Sequence, residues 1–383
     1  MIKLDRSLAE KSYKKGGKKS PQSRSKKKNG LKLEKHDGNP VIAPVAANDW
    51  ETKATFNPAA VEVSGKVYMA YRAIGEADRS VLGYAASEDG LFFDERDDLP
   101  MYIPRADFEG SIPPEFRGKH YTADSPYVSG GGGWGGVEDP RLTVIGDRVY
   151  MTYVAYDGWR PPRVALSSIS LDNFLLKVWE WTQPVLISPP HIVNKNAVIF
   201  PEKVNGKYVI FHRVYPDILI DFVDDLEAFD GQTVWLKGEY RIRPRKDYWD
   251  SKKVGAGPPP IKTEHGWLLI YQAVGYQDPG RYKIGAMLLD LDDPTKVIAR
   301  SDQPILEPEE WYENDGWKAG VAYPCGAVIK DGKLIVYYGG ADTVVCSASA
   351  DLKIFVKQLM TTKKPKLNGI KSAVWEVLRK LSK

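Results

Sequence analysis

Cysteine is almost missing from this chain: its 383 residues include only Cys325 and Cys346. Two thiols give neither a disulfide framework nor a metal-binding spacing, and such sparing use suits a reducing compartment. Histidine is scarce too, at five residues. With no His/Cys cluster, a zinc centre is not expected. No apolar run approaches membrane-spanning length, and no apolar signal segment opens the chain. A cytoplasmic protein without a membrane partner is therefore expected. The Gly-x-Ser-x-Gly elbow, the Walker loop and His-Glu-x-x-His are absent, which removes the chemistries those motifs serve. The body also lacks an excess of positive charge. The net charge is +4, but residues 1–37 hold 13 Lys/Arg against 4 Asp/Glu, or +9, leaving −5 for the rest by subtraction. An acidic body gives no reason to expect nucleic acid as a partner. The tail 1–37, poor in apolar residues, is expected to be a disordered, solvated arm.

What the chain has is apolar and aromatic. Hydrophobic residues make up 43%, with 11 Trp and 21 Tyr, which is a globular composition. Five segments share a glycine followed by an apolar strand, beginning at Gly65, Gly146, Gly206, Gly266 and Gly332. Glycine there suits a hairpin turn that needs positive φ. Before each lies a strand opened by proline, marked by Asn57-Pro58, Asp139-Pro140, Phe200-Pro201, Gly257-Pro258 and Tyr323-Pro324. A small-residue third strand follows most of them, then a proline-flanked apolar piece such as Pro184 to Pro189. Four strands in each of five antiparallel units describe an all-β protein, a five-bladed β-propeller over residues 38–362. The fifth unit lacks its proline-flanked piece. The N-terminal stretch Pro40 to Pro44 has that pattern, so it is expected to pair into the last blade and close the ring.

Two parts stand outside the repeat. The glycine-rich segment Arg105 to Gly136 makes the first gap long, and it is read as a lid. In the last stretch, 363–383, Ile370, Val374, Leu378 and Leu381 share one helical face. That predicts a C-terminal amphipathic helix docked on the propeller wall, with a subunit contact and hence a homo-oligomer as the alternative.

In a propeller the inner strands begin around one channel mouth. The proline-marked stretches should therefore gather Asn57, Glu138, Asp139, Arg141, Lys195, Asn196, Lys253 and Tyr323. The following strands should add Arg72, His212, Arg213, Tyr282 and Asp342. One carboxylate, Asp139, then faces an excess of cations: Arg72, Lys195, Arg213 and Lys253. Glycoside cleavage by water usually needs two carboxyl groups. Cations at this density instead favour an oxyanion, Arg as a fork and Lys as a point charge. Inorganic phosphate is already anionic near neutral pH and attacks without a base, so the set suits phosphorolysis. Trp134, Tyr156, Trp159 and Trp317 offer flat faces for a sugar ring.

These motifs resemble glycoside hydrolase family 130, the inverting β-mannoside phosphorylases and related β-mannosidases. The matching stretches include Phe56-Asn57-Pro58-Ala59, Tyr71-Arg72-Ala73, Val137 to Arg141, Lys195 to Lys203, Phe211-His212-Arg213, Gly255 to Ile261, Tyr323 to Ala327 and Ala341 to Val345. The resemblance implies that Asp139 is the general acid, relaying its proton through the mannosyl 3-hydroxyl. It implies phosphate binding by Arg72, Asn196, Arg213, Lys253 and Tyr282, with Lys195 a weaker member, and α-mannose 1-phosphate as product. Asn57 and Asp342 match positions that hold the mannosyl ring. His212 and Tyr323 are counted with the substrate residues, and Glu138 and Arg141 hold the loop and tune Asp139. The substrate expected is a β-1,4-linked manno-oligosaccharide or mannosyl-glucose, with phosphate as co-substrate and no cofactor or metal. One departure stands out: Gln272 occupies a position where many of the phosphorylases carry histidine. The alternatives are a β-mannosidase using water, with Glu202 or Asp342 as base, and a non-catalytic glycan-binding propeller.

Overall fold

Ser64-Gly65, Asn205-Gly206 and Asp331-Gly332 each have positive φ at both residues. That is the two-residue hairpin turn whose twist matches the strands it joins. These turns lead into the middle strands at three of the five repeat glycines. In the computed structural model, which describes residues 30–110, 130–362 and 370–371, five antiparallel hairpins follow one another. Their inner strands are Ala54–Val63, Gly136–Ile145, Lys195–Ile199, Lys253–Ala256 and Ala322–Lys330. Their middle strands are Lys66–Ile74, Arg148–Tyr156, Tyr208–Val214, Gly266–Val274 and Lys333–Gly340. A third strand pairs outside each middle one; in the third unit it is Asp217–Val223. The first two units share a sheet through one parallel pair, Ser80 with Gly136. The fold is thus mostly β and propeller-like.

The middle strands repeat a buried clamp. Tyr71, Tyr153, Tyr271 and Tyr338 occupy equivalent places, and each hydroxyl donates to a fully buried carboxylate: Glu51, Glu109, Asp250 and Glu313 respectively. Cations or further donors complete each carboxylate, such as Arg96 on Glu51, Arg300 on Asp250 and Lys35 on Glu313. Removed from water, such a carboxylate is tolerated only when its oxygens are fully partnered. In the third unit histidine replaces tyrosine. His212 Nε2 lies 2.8 Å from Asp221 Oδ2, and its Nδ1 is hydrogen-bonded to Asn194.

The chain ends differ in part from expectation. Val41 and Ile42 do pair with Val345 of the fifth unit. Order, however, begins before residue 38: Glu34–Lys35 pairs with Ala348 and Ser349, and Leu33 is buried in the core. The charge run hid this, because Lys35 is drawn inward by Glu313 rather than left in solvent. The rest of the expected basic tail, 1–29, lies outside the described residues. After the fifth unit the helix Leu352–Met360, capped by Asp351, buries Phe355, Val356 and Leu359. The helix expected over 363–383 is not formed at Ile370–Lys371, which pair as a strand with Tyr240 and Arg241. The remainder of that stretch is outside the described residues. Among the described residues, no helix is long and apolar enough to cross a membrane.

Candidate active site

Three inner strands break register at the same place. The shifts fall between Phe56 and Ala59, Glu138 and Arg141, and Lys195 and Val198. Inside each bulge sits a left-handed residue: Asn57 at φ 47°, Asp139 at φ 50° and Asn196 at φ 57°. Asn and Asp are the side-chain-bearing residues that best tolerate this region. A bulge turns a side chain out of the strand's alternation and re-aims it. Asn57 and Asp139 thereby face one cavity of about 410 Å³.

One wall of that cavity is acidic. Asp139, 6% exposed, accepts at Oδ1 from Asn57 Nδ2 at 2.8 Å and from Arg72 Nη1 at 3.1 Å. Arg72 is buried as well. Its other donors reach Glu138 Oε1 at 3.1 Å, the Gly130 carbonyl at 3.0 Å and Ser80 Oγ at 2.9 Å. Lys195 Nζ stands 3.6 Å from Glu138 Oε2. Arg141 fixes the backbone, donating to the Asp139 carbonyl at 2.6 Å and to the Gly257 carbonyl at 3.2 Å. Gly339 is required here, since a Cβ would lie 2.1 Å from Asn57 Oδ1. Gly131, at φ +70°, brings the end of the long glycine-rich segment over Phe56, and a Cβ there would strike the ring. The same segment completes the wall, with the Gly131 amide donating to Asp342.

A second part of the lining is basic. Lys253 Nζ donates to Tyr282 Oη at 2.5 Å and lies 4.4 Å from that ring's centroid. Arg213, Tyr282 and Lys318 line the cavity beside it. The Arg213 backbone pairs with Ile218, while its guanidinium makes no side-chain hydrogen bond or ion pair among the described residues. Burial alone would raise the Tyr282 phenol, but Lys253, Arg213 and Lys318 overcome it and hold the group below its ordinary value. Burial lowers Lys253, and Arg213 and Lys318 add to that against the opposing pull of Tyr282. A phenol held down by three cations marks a place where negative charge is favoured.

The two cavity aspartates are driven apart. Burial would raise Asp139, yet Arg72, Arg141, Asn57 and Lys195 together hold it below the usual carboxylate range. Burial pushes Asp342 up to about 6, with Asp139 adding to the rise and Lys318 and Arg72 opposing it. Between its ordinary value and about 6, the folded chain therefore holds a proton on Asp342 that the unfolded chain has lost. The stability tied to this group is full below the ordinary value and disappears as pH rises through about 6. Asp139 acts in the opposite sense: its contribution is present above the ordinary carboxylate value and is lost as pH falls through the depressed one. Asp342→Asn is expected to flatten the loss of stability between about pH 4 and about pH 7, read from urea midpoints. A slope unchanged by the substitution would mean that Asp342 titrates like a surface carboxylate.

Most of the expected residues meet at this cavity, but some do not line it. His212 is a correction. Arg213 lines the cavity, and neighbouring strand residues face opposite ways, so His212 turns into the clamp with Asp221 and cannot contact substrate. Asn196, fully buried, donates to the Tyr323 hydroxyl instead of lining the cavity. Arg141 acts through the backbone, and Lys253 reaches the cavity through Tyr282. Glu202 is half-exposed and ion-paired with Lys262, away from the cavity. Of the four aromatics, Trp317 lines the cavity; Tyr156 is buried and donates to Gly158, Trp134 stacks on Arg79, and Trp159 is exposed and does not line it. Gln272, equivalent to Arg72 and Arg213 on its middle strand, is buried. Lys318 was not foreseen. It sits between the fourth and fifth units, where no repeat position could flag it. Among the described residues, no group of His, Cys, Asp and Glu is arranged to hold a metal.

Comparison with known proteins identifies the family. The model of glycoside hydrolase family 130, described as β-1,4-mannooligosaccharide phosphorylase, matches residues 128–361. A 1,2-β-oligomannan phosphorylase from Thermoanaerobacter sp. is 38% identical over 84% of this chain and 98% of its own. A β-1,4-mannooligosaccharide phosphorylase from Ruminococcus albus is 34% identical over 56% of this chain and 62% of its own. Among solved structures, the β-1,2-mannobiose phosphorylase of Listeria innocua, in complex with β-1,2-mannobiose, superposes with a TM-score of 0.65. It is 26% identical, covering 85% of this chain and 99% of that one. With the family model matching most of the chain and a relative 38% identical over 84% of it, the chain belongs to glycoside hydrolase family 130.

Proposed function

We propose that the protein is a glycosyl-transferring phosphorylase that cleaves β-mannosides with inorganic phosphate and inversion, releasing α-mannose 1-phosphate. The observation that carries this reading is the pairing of one Arg72-held carboxylate, Asp139, with a nest of Arg213, Lys253 and Tyr282. A phosphate oxygen seated in the nest attacks C1 and forms the new C–O bond. The glycosidic C1–O bond breaks on the other face, and its oxygen takes a proton that Asp139 supplies through the mannosyl 3-hydroxyl. Arg72, Arg141 and Lys195 hold Asp139 toward its ionised form. An incoming phosphate offsets those cations and substrate displaces water, and both changes raise the carboxyl toward the value an acid needs. Asn57, Tyr323 and Asp342 hold the mannosyl ring, and Glu138 and Lys195 brace Arg72 and the nest. We read the five units as a ring closed by the N-terminal strand, which sets the two walls across one axis. Phosphate is the only co-reactant in this scheme.

The linkage follows the relatives. The enzyme aligned over 84% of this chain is named for β-1,2-oligomannan, whereas the β-1,4 enzyme aligns over 56%. Identity decides against the third relative, a 4-O-β-D-mannosyl-D-glucose phosphorylase that covers 91% of this chain at only 27% identity against 38% for the β-1,2 enzyme, and β-1,2-mannosides are the substrates proposed. The test supplies β-1,2- and β-1,4-mannobiose with and without phosphate. Mannose 1-phosphate formed only with phosphate is the expected result. Free mannose without phosphate would make the protein a mannosidase, and binding without turnover would make it a lectin-like scaffold. Arg213→Ala is expected to raise the phosphate KM about tenfold to a hundredfold while the melting temperature holds. An unaltered phosphate KM would remove Arg213 from the nest.

A further inference from the structure

Residues 310–320 join the fourth unit to the fifth and belong to neither repeat. This segment is tied down on two sides. The Trp317 amide donates to Thr343 Oγ1 at 3.0 Å and the Lys318 amide to the Ala341 carbonyl at 3.0 Å, on the turn that carries Asp342. Two residues on, the Gly320 carbonyl accepts from the Tyr282 amide at 2.9 Å. The segment therefore bridges the ring-holding aspartate and the phenol of the basic wall. Lys318 rides on it, with Nζ 4.7 Å from the Tyr282 ring centroid, and it lines the cavity. Lys253 approaches the same ring at 4.4 Å. Among the described residues Lys318 forms no close ion pair, and the carboxylate its charge acts on is Asp342 in the same cavity. Lys318 is exposed, yet its backbone is held against two cavity residues and its charge acts on both the Tyr282 phenol and the Asp342 carboxyl. Like charges gathered around one phenol repel one another until an anion joins them.

We propose that Lys318 is a further cationic ligand of the co-substrate, binding an outer oxygen of phosphate at the cavity mouth. In the reverse direction it binds the phosphoryl group of the sugar 1-phosphate. This rests on the phosphorolysis reading. The repeat-derived cations hold the inner side of the anion, and the inter-unit segment contributes the outer contact, so phosphate affinity depends on a residue that the repeats do not encode.

The experiment titrates inorganic phosphate into the full chain by calorimetry and measures both Michaelis constants, for wild type, Lys318→Met, Lys318→Arg and Arg213→Ala. Lys318→Met keeps the apolar stem and removes the charge, so loss of packing is not confused with loss of the cation. The expected result is a phosphate Kd and KM raised about tenfold in Lys318→Met, an unchanged mannoside KM, and recovery to within about twofold in Lys318→Arg. A phosphate Kd equal to wild type in Lys318→Met, with Arg213→Ala weakened, overturns the role of Lys318 and leaves phosphorolysis standing. Wild type that turns over mannoside but binds no phosphate overturns both.

Discussion

Asp139→Asn is expected to lower kcat by about three orders of magnitude, within the range general acid catalysis supplies, with the fold intact. Asparagine tolerates the left-handed conformation that residue 139 holds at φ 50°. Its amide oxygen still accepts from Asn57 and Arg72. The backbone carbonyl that Arg141 grips is unchanged. What disappears is the proton. The loss should therefore shrink on an activated aryl mannoside, whose leaving group departs without protonation. Circular dichroism and the melting temperature report the fold, and initial rates on both substrates report the chemistry. A variant as active as wild type on mannobiose would take Asp139 out of its role. An equal loss on both substrates would turn it into a binding residue.

Arg72→Met is expected to cost about 3–5 kcal/mol of stability, the usual consequence of leaving a buried charge unpaired. Arg72 bonds to Asp139 and Glu138 at 3.1 Å each, and all three are buried. Without it Asp139 loses the cation that most depresses its carboxyl. Folded Asp139 would then take up a proton at higher pH, so the acid limb of stability should move upward. Adding Asp139→Asn to Arg72→Met should restore part of the loss, because an orphaned charge is removed. The coupling is read from urea midpoints in a double-mutant cycle. Purely additive costs would mean that the pair is solvent-relaxed and weak.

The sequence carried the architecture because turn chemistry is local. Asn205-Gly206 and Asp331-Gly332 announce hairpins, and Asn57-Pro58 and Asp139-Pro140 announce the bulges beside them. The acidic wall was legible for the same reason. The basic wall was legible only in part. His212 looked like a site residue because it adjoins Arg213, and a one-residue step decides which face of a strand a side chain meets. Aligning it with Tyr71, Tyr153, Tyr271 and Tyr338 would have shown it as the clamp member of its unit. The buried partners of that clamp, such as Glu109 and Glu313, lie in connecting segments at irregular spacing, so no period reveals them. Lys35 and Lys318 were misjudged or missed because each meets its partners across a gap of hundreds or tens of residues, and charge counting treats both as solvated. Ile370 shares an apolar spacing with a helix but finds an open strand edge at Tyr240 first.

The left-handed bulges also limit how this pocket can change over time. At positions 57, 139 and 196 the backbone admits asparagine, aspartate or glycine readily, and a β-branched side chain only under strain. Descendants can thus trade acid for amide there by a single-letter edit without rebuilding the scaffold, but cannot install a valine or an isoleucine cheaply. Wider change falls to the middle strands, where Arg72, Arg213 and Gln272 sit on ordinary extended backbone and the vocabulary is unrestricted.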